Sequence, residues 1–262
     1  MSRRWLKLSI AGVFILLITA ILNFPASLAL GWAQQRSAYP IEWQQIDGSI
    51  FNLNIYGLSV KTVQGRLINL DRVSISTSKL SLLLGNISTE FQIWKNDSQV
   101  SGIGIITLEA WKLSEVSGEI LVTDLTHIFP ELELFGISGV LELEHTNLSG
   151  EVNQLPNSGN FKLDISGLTS AMFGSRPIGS YRLIDDEIND KHIIASIVNI
   201  ADDNQVFVNV KLVLSKDDKK FGVNGYSWLS EKVDTSLNEF LLVMGRLENN
   251  RVLINWEWYL DI

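Results

Sequence analysis

Three histidines, His127, His145 and His192, have the side chains in this sequence best suited to ligate a metal ion or transfer a proton near neutral pH. No two of them stand at a metal-ligand spacing, so the sequence predicts no metal site. The absence of cysteine excludes thiol catalysis, cysteine-ligated zinc and iron–sulfur clusters. No Gly-x-Ser-x-Gly segment is present, although a Ser-His-Asp triad is defined by geometry and stays open. We predict no enzyme activity, no catalytic residue and no cofactor.

Short acidic clusters at 185–190, 202–204 and 216–219 superficially resemble sets of calcium ligands. None of them follows the Asp-x-Asp-x-Asn-Gly loop pattern. Asp and Asn favour turns because their side chains bond nearby backbone groups, so we interpret the clusters as hairpin tips. The segment Gly102-Ile-Gly104 lacks a third glycine and a following helix, and it therefore predicts no phosphate-binding loop.

Most of the chain after residue 36 alternates apolar and polar residues, which is the period of a half-buried β-strand. The run at 206–215 is one clear example. The run at 139–148 alternates only briefly, because Val140 falls on the face of the glutamates and His145 on the face of the leucines. These runs predict an all-β fold with a long, twisted, largely antiparallel sheet. The final run, 251–262, places six apolar residues on one face: Val252, Ile254, Trp256, Trp258, Leu260 and Ile262.

Helix has little room in this pattern. We expect one short helix at 125–132, ended by Pro130 or just past it, and a second at 229–244, where apolar residues recur at intervals of three and four. A division of the sheet into two halves is expected near 148–158.

The amino-terminal segment carries no charge between Lys7 and Arg36. About twenty apolar residues suffice for a helix to cross a bilayer, so 8–29 is predicted as a single transmembrane helix. Basic residues favour the cytoplasmic side, which makes 1–7 a cytoplasmic tip and 30–262 a periplasmic domain on the bacterial inner membrane. A cleaved signal peptide is the alternative, since small residues follow the apolar run.

The charge balance indicates which partners to exclude. The whole chain has a net charge of −8. The charged residues among its first 35 are all basic (Arg3, Arg4 and Lys7), so the exported part has a more negative net charge than the whole chain. This balance argues against nucleic acid as a partner and against electrostatic docking onto an anionic membrane surface.

Three segments together resemble the type II secretion system protein N family, also called general secretion pathway protein N. They are the run at 24–27 (Phe-Pro-Ala-Ser) after the apolar segment, the run at 46–53 (Ile-Asp-Gly-Ser-Ile-Phe-Asn-Leu), and the run at 167–183 with its Pro-Ile-Gly-Ser-Tyr core. Phe51 stands where the family usually has tryptophan, and Asn52-Leu53 lacks the family's second glycine. A wider likeness is to AsmA-type membrane-tethered β proteins.

The resemblance implies an inner-membrane accessory of the apparatus that exports folded proteins across the outer membrane, with other secretion-system envelope proteins as partners. It implies no catalytic residue. The AsmA likeness implies a second class, a β-groove that handles lipid. The two classes differ in whether the apolar sheet face is filled by side chains or open along its length.

Overall fold

The computed structural model describes residues 24–36, 41–61, 66–126, 130–134, 136–171, 177–230, 245–249 and 251–259. It confirms the all-β prediction, with a large antiparallel sheet and few short helices. The chain divides into two compact units, Met1–Lys95 and Asn96–Ile262.

The first unit is a small antiparallel sheet with two short helices. Strands β1 and β2 both pair with β3, and β4 and β5 follow in order. The elements are α1 (Ala26–Arg36), β1 (Ile41–Glu42), β2 (Gln45–Ser49), β3 (Asn52–Lys61), β4 (Leu67–Thr77), α2 (Lys79–Leu83) and β5 (Ile87–Lys95).

The core of the first unit follows from the alternation in β3. Leu53 and Ile55 lie two residues apart, so they point to the same face of the sheet, where Val73 of β4 joins them. Ala26, at the start of α1, is buried in the same cluster. Helix α1 therefore packs on the sheet through its first turn.

The predicted transmembrane helix lies mostly outside the described residues, which begin at Phe24. Its described end is not one continuous helix to residue 29. Pro25 forms an antiparallel bridge with Ser49, and the backbone N–H of Ile50 donates to the carbonyl oxygen of Phe24 at 3.2 Å. Helix begins only at Ala26, because Pro25 is held in the bridge with Ser49 and proline disfavours helical geometry in the residue before it, Phe24. Among the described helices, none has the length and hydropathy that a membrane crossing requires.

The second unit is an antiparallel sheet in the order β6-β7-β8-β10-β11-β12-β13-β14-β16-β15, with β9 paired to β8. Most neighbours are consecutive in the chain, so the sheet is a meander. The elements are β6 (Ser98–Ile106), β7 (Ala110–Leu121), a 3-10 helix (Val122–Leu125), α3 (Pro130–Leu134), β8 (Ile137–Glu151), β9 (Ser158–Asn160), β10 (Lys162–Ser170), β11 (Pro177–Ile188), β12 (His192–Asn199), β13 (Val206–Ser215), β14 (Lys220–Leu229), β15 (Arg246–Glu248) and β16 (Arg251–Tyr259).

Both helix predictions in this unit need correction. Pro130 begins α3 instead of ending a helix, because its fixed backbone angle suits the first helical turn. Leu229 is the last residue of β14 and pairs with Val206, so no helix begins there. The rest of that predicted helix, 231–244, lies outside the described residues.

A β-bulge in β8 explains why the alternation of apolar and polar residues breaks at His145. Gly118 of β7 pairs with Leu143, but the next registered pair is Val116 with Thr146. The chain accommodates the extra residue at His145, whose φ is +43°. Thr146 is consequently buried and His145 exposed.

The expected division near 148–158 lies inside the second unit. There β8 and β9 pair across the intervening loop, with Leu148 opposite Gly159. The boundary between the two compact units falls at Lys95 and Asn96, and the expected division near 148–158 stays a prediction.

Candidate functional site

The described histidines are not brought together. His127 lies outside the described residues. His145 is on β8 and His192 on β12, with two strands between them, which separates the strands by about 14 Å. Among the described residues, no group of three His, Cys, Asp or Glu side chains is placed to hold a metal ion.

The first acidic cluster is mostly strand, which corrects the predicted hairpin tip. Strand β11 continues to Ile188, and the turn occupies only the following residues. Asp185 accepts a 2.6 Å hydrogen bond from the backbone N–H of Phe161, and Asp186 accepts one of 2.6 Å from the Ser196 hydroxyl. Both carboxylates therefore stabilise the sheet through hydrogen bonds to residues outside β11. Turns at 202–203 and 216–219 confirm the other two tips.

One face of the second unit carries a row of cross-strand ion pairs. Arg182 binds Asp164 through Nε and Nη2, each at 2.6 Å. Hydrogen bonding to Arg182 is the main cause that lowers the pKa of Asp164; burial opposes it, and the charges of Arg182 and Lys162 lower it further. Further pairs join Lys162 to Glu144, Lys211 to Asp186 and Lys220 to Glu257. Opposite charges on this face neutralise one another, which is typical of a solvated sheet surface.

The opposite face of the same sheet is apolar across many strands. The pairing of the strands places apolar residues of neighbouring strands side by side on this face, for example Leu143 with Leu163, and Ile197 with Val210. The described strands of the second unit form one hydrogen-bonded sheet, so no second sheet of that unit covers this face. Most of its side chains are only half-buried; the fully buried apolar ones include Tyr181, Ala195, Val206, Val210, Val252 and Ile254.

An aromatic cluster lies on this face at β14 and β16. Phe221 stacks on Trp258 with ring centroids 5.6 Å apart, and Trp256 meets Trp258 edge-on at 5.7 Å. Trp258 remains 44% exposed, unlike Val252 and Ile254 on the same strand. The predicted alternation is confirmed as far as Trp258, and the apolar face of β16 becomes more exposed along the strand. Leu260 and Ile262 lie outside the described residues.

Two hydroxyl groups on the apolar face are buried. Tyr181 donates a 2.8 Å hydrogen bond to the carbonyl oxygen of Val206, and burial raises the pKa of the Tyr181 hydroxyl. Ser227 is 1% exposed, and its hydroxyl oxygen has no hydrogen-bond partner. Its register neighbours are Val208 and Val252. The Ser227 hydroxyl is thus an unpaired polar group among apolar side chains.

A polar hollow of about 590 Å³ lies between the turns at one end of the second unit. Lys216 is its central cation; its amine donates to the carbonyl oxygens of Pro156 and Asn189. Burial lowers the pKa of the Lys216 amine, and the charge of Asp190 opposes that effect. Because the amine ties two loops together, its role in the structure is to hold these turns in place.

The run at 167–183 forms a strand start whose motif residues each have a structural partner. Strand β11 begins at Pro177. A side chain at Gly179 would lie 2.7 Å from the Asn204 side chain, so only glycine leaves room for it. Buried Asn204 accepts from the backbone N–H of Ser180 at 2.8 Å and donates to its carbonyl oxygen at 3.0 Å. The sequence predicted a solvated turn at Asn204 and did not predict its hydrogen bonds to the Ser180 backbone. The Pro-x-Gly motif at 177–179 does not by itself specify which residue binds there.

The other two resemblance segments meet in the first unit. The run at 24–27 contacts the tip between β2 and β3 through the Pro25–Ser49 bridge and the Phe24–Ile50 hydrogen bond. Gly48 has a φ of +96°, and a side chain there would lie 2.0 Å from the carbonyl oxygen of Asn52, so the tight tip requires glycine.

No protein-family model matches this chain, and no curated protein or solved structure matches it either.

Proposed function

We propose that this protein acts without catalysis, as an inner-membrane-tethered accessory of the type II pathway that exports folded proteins across the outer membrane. Its amino terminus is cytoplasmic and its β domain periplasmic. Its partners are other envelope proteins of the secretion system, and nucleic acid is not among them.

One observation carries the proposal. The segment at 24–27 follows the apolar run directly, and it docks on the tip at 48–50. These are two of the three segments on which the family resemblance rests, although they lie more than twenty residues apart in the chain. Their contact supports the proposal, because it attaches the β domain to the chain at the end of the proposed tether.

Next to this contact, helix α1 packs on the sheet of the first unit through a buried alanine. Ala26 is 1% exposed and lies against Leu53, Ile55 and Val73. Only a small side chain fits between α1 and the sheet at this position. The chain that follows the proposed tether is therefore held against one face of the first unit's sheet.

The proposal is tested by deleting the gene and assaying where secreted enzymes accumulate. The expected result is less enzyme outside the cell and more in the periplasm. An unchanged distribution, with normal export of every secreted enzyme, contradicts the proposal.

A second candidate function, the handling of envelope lipid, is favoured by the apolar face of the second unit. Half-buried aliphatic side chains extend across β8 to β16, and Trp258 is open to solvent. An acyl chain would bury this surface. Phospholipid that co-purifies with the detergent-solubilised chain, with altered outer-membrane lipid and normal secretion in the deletion strain, would support this candidate over the first.

A further inference from the structure

An exposed apolar patch lies on the first unit, at α2 and the turn that follows it. Four large apolar side chains point to solvent within eight residues. Soluble proteins rarely leave contiguous apolar surface uncovered, so such a surface marks a binding site. The residues of this apolar patch are Leu80, which is 73% exposed, Leu82 at 40%, Leu84 at 80% and Ile87 at 45%.

The patch is held in place by hydrogen bonds. The Ser78 hydroxyl caps α2 by accepting from the N–H of Ser81 at 3.4 Å. The buried Ser81 hydroxyl donates to the carbonyl oxygen of Ser78 at 2.7 Å and accepts from the N–H of Ser88 at 3.1 Å. The serine thus points inward and the leucines outward, the reverse of a helix that faces water.

The patch lies beside the point where the described chain begins. Phe24 bonds to Ile50, and the carbonyl oxygen of the next residue, Phe51, accepts from the N–H of Thr77 at 2.7 Å. The amine of Lys79, the first residue of α2, lies 5.3 Å from the Phe51 ring centroid. The charge-free apolar run at 8–22 ends two residues before Phe24. The patch therefore lies at the end of the first unit where the described chain begins, and the predicted membrane span directly precedes that point in the sequence.

We propose that the apolar patch inserts into the periplasmic leaflet of the inner membrane, as a second attachment beside the tether. This inference rests on the tether of the proposed function. The occupant is the lipid bilayer, because the chain itself leads into the membrane at this point. Attachment is by burial of leucine side chains, which agrees with an exported part too acidic for electrostatic docking. Two attachments fix the orientation of the first unit, which a single flexible connection would leave free.

The absence of cysteine allows a direct test in the full chain. Leu84→Cys is labelled with an environment-sensitive fluorophore, and the chain is reconstituted in phosphatidylethanolamine and phosphatidylglycerol vesicles. A fraction of the lipid carries a spin-label quencher near the headgroup. Leu67→Cys is the matched control, since it is a 53% exposed leucine at the far end of β4, about 33 Å along the strand from Thr77.

The expected result is a blue shift and strong quenching at position 84, with neither at position 67. Adding Leu80→Ser to a chain labelled at Ile87→Cys should reduce the quenching there. Retention of the chain after alkaline carbonate extraction is measured in parallel. A chain that carbonate removes overturns the tether and the patch insertion together. A retained chain whose position 84 resembles position 67 overturns the insertion alone. A blue shift without lipid quenching also overturns it, because a protein surface then covers the patch.

Discussion

Arg182 of β11 binds Asp164 of β10 through two parallel hydrogen bonds, from Nε to Oδ1 and from Nη2 to Oδ2, both 2.6 Å long. The pair lies within the row of charges on the polar face, and the Asp164 side chain is largely buried. Two-pronged pairs of this kind are stronger and more specific than single contacts. This pair therefore anchors the register of two central strands in the second unit.

Replacing Asp164 with Asn should lower the free energy of unfolding by about 1.5 to 3 kcal/mol at neutral pH, because Arg182 loses a charged partner. Urea unfolding of the purified chain in detergent measures the change. Glu257→Gln is the control; Glu257 pairs with Lys220 but is mostly exposed, so about 0 to 1 kcal/mol is expected. Equal losses for both variants would contradict the special role of the Asp164 pair.

The same pair predicts a pH dependence. The folded pKa of Asp164 lies below its unfolded value, so its contribution to stability is fully present above the unfolded pKa of about 4. That contribution is lost as the pH falls through the folded pKa. The stability difference between the native chain and Asp164→Asn should therefore shrink on acidification. A difference that stays constant into acid would refute this assignment.

Asn204→Ala should destabilise the protein by about 1 to 3 kcal/mol, because the part-buried N–H of Ser180 loses its partner. The carbonyl oxygen of Ser180 loses one of its two donors and keeps the N–H of Ile200. Asp203→Ala is the matched control, since Asp203 is exposed in the same turn and should change stability by less than about 0.5 kcal/mol. Thermal unfolding followed by circular dichroism compares the two. Gly179→Ala should also destabilise the protein, through the clash with the Asn204 side chain.

Two leucines of the first unit should respond in opposite ways. Leu53→Ala removes a buried side chain and should lower the free energy of unfolding by about 2 to 5 kcal/mol. Leu80→Ala removes an exposed one and should leave stability within about 0.5 kcal/mol of the native value. Denaturant unfolding distinguishes them. A large loss for Leu80→Ala would mean that the apolar patch is part of the core.

The strands could be predicted from the sequence because alternation is a local signal. Leu53 and Ile55 in β3, and Val252 and Ile254 in β16, are buried as the period of two requires. Features that depend on distant partners could not be predicted this way. Asp185 looked like a turn residue, yet the N–H of Phe161 holds it within a strand.

Other errors came from single residues whose effect depends on context. The bulge at His145 depends on the register with β7, and Asn204 is buried only because Gly179 leaves it room. The apolar patch was also missed. A run of leucines does not by itself reveal that Ser81, rather than Leu80 or Leu84, faces inward.

The most direct test of the account is to complement the deletion strain with Ala26→Asp and with Ser27→Asp and to measure the fraction of secreted enzyme held in the periplasm. Ala26 is buried in the core of the first unit at the start of α1, whereas Ser27 is exposed at the next position of the same helix. We predict periplasmic accumulation with Ala26→Asp, as in the deletion, and normal secretion with Ser27→Asp. Normal secretion in the uncomplemented deletion strain would contradict the account.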